Sequence, residues 1–202
     1  MVEGASQVGE RLGEVRPALG VDGDWVRQLV ETARGHLDWV KADMMRRNVR
    51  TFPGLGRDDG RTVEFFPYTG TGADRALAAR FRALAELDAA SFGRAFFAQF
   101  ELHGFRVPGE PGAFDAAFSV PHDALHVLSG YDTSVPGELL VSTFTGAMHG
   151  PSGMAAHILP VIYEWHLGVE LSPAVPAAHG ALVPEKFWVA WDLGARASRD
   201  VL

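Results

Sequence analysis

Between Pro121 and Glu138 the chain sets two imidazoles and two carboxylates at spacings that suit a bound cation. The stretch reads Pro121-His122-Asp123-Ala124-Leu125-His126, followed by eleven residues and then Glu138. On a helix advancing about 100° per residue, His122 and His126 project about 40° apart, with Asp123 within about 100° of both. His122, Asp123, His126 and Glu138 are therefore the candidate ligands of one divalent metal ion. Nitrogen and oxygen donors in this mixture suit zinc first, with Mn, Fe or Co as alternatives. Asp123 and His126 are also the candidate catalytic pair. The zinc-protease pattern is not met, because Asp rather than Glu follows the first histidine. A carboxylate that short serves better as a ligand or orienting group than as a distant base.

Those four side chains need two helices and a bend. Pro121 suits a first helical turn, where its missing amide costs nothing. Gly130 ends that helix, Tyr131 to Val135 turn the chain, and Pro136-Gly137 opens the next with Glu138 in its first turn. Upstream, a helix starting near Asp24 is expected to run through Trp25, Val26, Leu29, Val30, Ala33, Leu37, Val40 and Met44. Its apolar positions recur at three and four. Lys41, Arg46, Arg47 and Arg50 gather at its end and read as a solvated last turn.

Residues 51–72 look like a loop containing a short strand around Thr62–Phe66. Residues 73–103 are helical in pattern, and Gly93 either interrupts that helix or allows close packing. Phe92, Phe96 and Phe100 form a stripe that reads as core, or alternatively as the lining for a flat or prenylated ligand. The run 149–153 is a turn between two helices, Pro160 kinks the second, and residues 184–202 form a last helix. The fold class expected is all-α, a single-domain helical bundle (23–202) behind a flexible arm (1–22), with the metal site at a helix–turn–helix.

Composition narrows the chemistry. The 202 residues include no cysteine, which excludes disulfide scaffolds, thiolate metal sites and a Cys nucleophile. A net charge of −7 argues against a phosphate-binding surface, so no nucleic acid is expected as a partner. The first twenty residues carry Glu3, Glu10 and Glu14 and no apolar run, unlike a secretory or transit peptide. Leu139 to Tyr163 carries no Asp, Glu, Lys or Arg. Its glycines and prolines nevertheless favour two buried helices over a membrane span. A cytoplasmic protein is expected, with peripheral membrane contact as an alternative. His149 is read as a turn residue that can alternatively approach the metal's outer sphere. Glu164-x-His166 and Glu101-x-His103 both miss the spacing of a di-iron helix pair, and no Gly-x-Ser-x-Gly elbow is present.

The segment HDALHVLSGYDTSVPGELLVSTFTGA resembles the signature of the coenzyme Q (ubiquinone) biosynthesis protein family numbered fourth in its pathway. That signature has His-Asp-x-x-His, eleven residues and Glu, with internal Leu-x-Gly-Tyr and Gly-Glu-Leu steps. Ser91-Phe92-Gly93-Arg94-Ala95-Phe96 and Ala190-Trp191-Asp192-Leu193-Gly194-Ala195-Arg196-Ala197 resemble two further segments. The resemblance spans about residues 75–202. It implies a helical fold holding one divalent ion on His122, Asp123, His126 and Glu138. It also implies action on prenylated aromatic ring intermediates, in oxidative decarboxylation, with isoprenoid lipid, biosynthetic protein partners and membranes nearby.

The function expected is accordingly metal-dependent work on an aromatic or isoprenoid small molecule, as a lyase or oxidoreductase in a homo-oligomer. The alternatives are a non-enzymatic isoprenoid-binding scaffold with a structural metal, and a metal-dependent hydrolase.

Overall fold

Small local devices decide where the helices of this chain stop, more than the reach of their apolar stripes. A computed structural model describes residues 23–48, 50–51, 73–171 and 176–200, with the side chains of 23–25, 151 and 198–200 excepted. The expected arm 1–22 and the strand at 62–66 lie outside what is described. The described residues are mainly helical and include no strand; Leu167 and His179 form one isolated antiparallel bridge.

The expected long first helix is two helices, α1 (Gly23–Ala33) and α2 (Leu37–Asn48). Gly35 sits between them at φ +77°, a left-handed conformation open to glycine. The Gly35 amide donates to the Thr32 carbonyl and the His36 amide to the Glu31 carbonyl, each at 3.0 Å. This pair of bonds satisfies the last carbonyls of α1. His36 Nδ1 also meets Glu31 Oε2 at 2.5 Å. Apolar spacing alone gave no sign of the break, because Leu29 and Leu37 still reach one cluster with Val40, Tyr163 and Leu171.

The second expected helix divides in the same way, into α3 (Arg75–Arg82) and α4 (Phe92–His103), with a 3₁₀ turn (Ala83–Glu86) after α3. The interruption falls before Gly93. Asp88 Oδ1 accepts from the Ala90 amide at 2.8 Å, and Ser91 caps α4 by accepting from the Arg94 amide. Gly93 serves close packing instead: a Cβ there would sit 2.6 Å from Leu87 Cδ1. Phe96 and Phe100 are buried core residues, whereas Phe92 is about half exposed. After a Pro/Gly loop come α5 (Ala116–Ser129), α6 (Val135–Met148), α7 (Pro151–Gly153), a π-helical turn (Met154–Ile158), α8 (Leu159–Trp165) and α9 (Pro184–Asp200). The turn expected at 149–153 is confined to His149 and Gly150, the latter at φ +59°, and residues 151–153 are already helical. No helix of the described residues is long and apolar enough to cross a membrane.

The contacts divide the chain into two compact units. One comprises the central segment that ends at Asp132. Its core joins Ala78, Phe96, Phe100 and Val107 with Val120, Ala124 and Val127 of α5. The other combines the chain up to Thr51 with the chain from Thr133 onward. There Leu139, Ile158, Trp165 and Phe187 form one cluster, and Gly194 of α9 lies against the Phe144 carbonyl of α6.

Around Pro160, within this second unit, the structure shows a π-helical turn. Pro160 has no amide to donate, and the helix before it widens so that the Leu159 amide reaches back to the Met154 carbonyl. The carbonyls of Ala155 and Ala156 take side-chain donors instead, Gln28 Nε2 at 3.2 Å and Asn48 Nδ2 at 2.9 Å. Gln28 also donates to Asp43 Oδ2 at 3.1 Å. The arginine run at the end of α2 is more than a solvated turn: Arg47 Nε meets the buried Asp43 carboxylate at 2.7 Å, and Arg46 joins it. Burial pushes the Asp43 carboxyl up, but the hydrogen bonds from Arg47 and Arg46 outweigh it and hold the group below the usual carboxylate range.

Candidate metal centre

Helix α5 carries both histidines, and it begins earlier than the proline signal suggests. Asp115 caps it, accepting from the Ala117 amide at 2.7 Å, which places Pro121 inside the helix rather than in its first turn. His122 and His126 therefore lie well within α5, on backbone fixed at both ends. Gly130 closes the helix at φ +73°, donating its amide to the His126 carbonyl at 2.9 Å. Ser134 caps α6, accepting from the Gly137 amide at 3.2 Å, and Glu138 stands in the first turn of that helix as expected.

The two imidazoles meet tip to tip. Their Nε2 atoms are 3.3 Å apart, and the rings stand nearly perpendicular, with centroids 5.0 Å apart. His126 is buried and turns its Nδ1 toward the Tyr131 carbonyl at 3.0 Å. A carbonyl only accepts, so Nδ1 of His126 carries the proton and its Nε2 presents a lone pair. One ligand atom from each of His122, His126 and Glu138 lies within 4.8 Å of the other two. Asp123 stands beside them, half-buried on α5, and does not join this group of three.

The spacing can be tested against a metal. An ion about 2.05 Å from each of two nitrogens 3.3 Å apart subtends about 107°, close to a tetrahedral angle. The same bonds at a right angle would bring the nitrogens to about 2.9 Å. The separation of the two nitrogens thus fits a tetrahedral divalent ion, and Glu138 completes a group of three side chains that could hold one.

Sequence reading missed two neighbours of these ligands. The Tyr131 carbonyl is invisible to it because backbone carries no residue signature, although a histidine four residues before a helix-ending glycine points toward the turn. Burial also raises the Tyr131 hydroxyl above its ordinary range. The second neighbour is Phe118, stacked on His122, whose position four residues upstream was legible. His149 stacks on His157 with centroids 5.5 Å apart, and burial pulls its imidazole below the usual range; it is not one of the three grouped side chains.

No family model, no curated protein and no solved structure matches this chain.

Proposed function

We propose that this chain is a metal-dependent protein that acts on a small aromatic acid carrying an isoprenoid tail, as in quinone synthesis. The observation that carries the metal half of this reading is the apposition of His122 and His126 through Nε2 at 3.3 Å, with Glu138 in the same group. Its substrate half rests on the resemblance of residues 119–146 to the ubiquinone-biosynthesis signature. His122, His126 and Glu138 would hold the ion, and Asp123 would sit beside them as a fourth ligand or an orienting charge. Bound there, a divalent ion supplies Lewis-acid stabilisation for charge developing on a carboxylate or phenolate oxygen. The protein's own contribution is rigidity. The Tyr131 carbonyl fixes the tautomer and plane of His126, and capped helix ends hold the backbone on both sides of the turn. Decarboxylation of the ring is the reaction class proposed. Peripheral membrane contact, biosynthetic partners and self-association belong to the same proposal.

Two experiments test it. Elemental analysis of protein purified without chelators or added metal should find near-stoichiometric metal, zinc first, that is lost in Glu138→Ala and His126→Ala. Turnover of a prenylated hydroxybenzoate should vanish in His126→Ala while the helical signal is retained. Metal with no turnover would favour a scaffold, and comparable ester or amide hydrolysis would favour a hydrolase. Equal, negligible metal in all three proteins would end the reading.

A further inference from the structure

The two histidines are held by different means. His126 is fixed by its bond to the Tyr131 carbonyl, whereas the ring of His122 is faced by Phe118. Their centroids are 5.6 Å apart and their planes only 9° apart. Phe118 is in turn braced edge-on by Phe114 at 6.5 Å and 82°, and His122 meets the His126 ring edge-on. Residues 114, 118, 122 and 126 follow one another at steps of four, so each side chain lies about 40° around the helix from the last. The result is a ladder of four rings along one side of α5 and the residue just before its cap.

The direction in which His122 Nε2 points depends on the imidazole's rotation about its second torsion. That torsion has a broad, roughly two-fold preference and is not fixed by the backbone. A parallel ring against its face restricts it, because turning the imidazole out of that plane gives up the stacked contact with Phe118. We infer that Phe118 is a positioning residue for His122: its ring sets the plane of the imidazole so that Nε2 faces that of His126. This inference rests on the metal reading above. Phe114, 45% exposed, backs Phe118 edge-on.

The test compares the unaltered protein with Phe118→Leu, Phe118→Met and Phe118→Tyr. Three quantities are measured: Zn²⁺ affinity by chelator competition, the visible spectrum of the Co²⁺-loaded protein, and the His122 ring proton shifts of the metal-free protein. Stacking of this size makes Phe118→Leu and Phe118→Met bind Zn²⁺ about three- to tenfold more weakly. Both should move the Co²⁺ bands and remove the ring-current shift from His122, while Phe118→Tyr keeps all three properties. A folded Phe118→Leu or Phe118→Met with unchanged affinity and Co²⁺ spectrum overturns the inference, as does Phe118→Tyr behaving like Phe118→Leu. Failure of the metal reading shows separately, as Zn²⁺ affinity equal in the unaltered protein and His126→Ala. The His122 shifts then still report whether Phe118 holds the ring, and their absence overturns the clamp by itself.

Discussion

Stripping the protein of metal and then adding Zn²⁺ should raise its unfolding temperature by an amount that His126→Ala abolishes. The geometry sets the expectation. Two nitrogens 3.3 Å apart accept an ion at about 2.05 Å from each with an angle of about 107°, so their separation need not change for the first two bonds. An ion that binds only the folded chain stabilises it by about 2.7 kcal/mol at a hundredfold excess over its dissociation constant. For a chain of about 200 residues, each kcal/mol moves the midpoint by about 2–4 °C, giving a rise of about 5–11 °C. Calorimetry of chelator-treated protein, with and without Zn²⁺, reads this directly. His126→Ala should lose the whole increment and Glu138→Ala most of it, whereas Asp123→Asn should keep more than either if Asp123 only orients. A rise of the same size in His126→Ala would refute the assignment, because the ion would then be held elsewhere.

With both rings neutral in the metal-free protein, the hydrogen between the facing nitrogens belongs to His122 Nε2, since His126 spends its own on Tyr131; ¹⁵N spectra should show it move to Nδ1 when Zn²⁺ binds. Asp43→Ala should cost about 3 kcal/mol, read by urea denaturation, because it removes the buried carboxylate to which Arg47 and Gln28 both donate. The folded carboxyl of Asp43 lies below its unfolded value, so its contribution is complete above about pH 4 and fades as pH falls through the folded value. Asp43→Asn should flatten that acid limb and leave the neutral-pH slope unchanged. Gly194→Ala should cost about 2–3 kcal/mol, since its Cβ would press on the Phe144 carbonyl, a backbone atom that cannot rotate away. Gly35→Ala meets nothing within 4 Å and should cost only the left-handed strain, about 1–2 kcal/mol.

Some of the architecture was legible because its cause is local. Gly130 closing one helix and Pro136-Gly137 opening the next with Glu138 in its first turn are local chemistry that needs no tertiary context. The structure places Gly130 and Glu138 where the residues indicate and starts the second helix slightly earlier, at Val135, on a cap from Ser134 that the reading did not name. The division of the first helix was not legible, because a turn centred on Gly35 can join two helices while both faces still reach one core. Pro121 misled for a related reason. A proline is cheapest in a first turn, but Asp115 offers a side-chain oxygen to the Ala117 amide, and that cap sets the start five residues before the proline's preference would.

The buried Asp43 escaped notice because nothing in its own neighbourhood separates a surface i,i+4 pair with Arg47 from one sealed by Gln28. That distinction depends on Pro160, more than a hundred residues away in the chain. Its missing amide turns two carbonyls of the widened helix toward Gln28 and Asn48. The same contrast separates the two halves of the metal site. Spacing on one helix is enough to bring His122 and His126 together, since a step of four residues returns almost to the same face. Whether their nitrogens aim at one point depends on partners the spacing does not show, a carbonyl past the helix end for one ring and a stacked phenyl for the other. A motif read from sequence therefore nominates ligands, while the neighbours that fix ring planes decide whether those ligands share an ion. Altering Phe118 or the 130–135 turn should change metal affinity even though neither supplies a ligand.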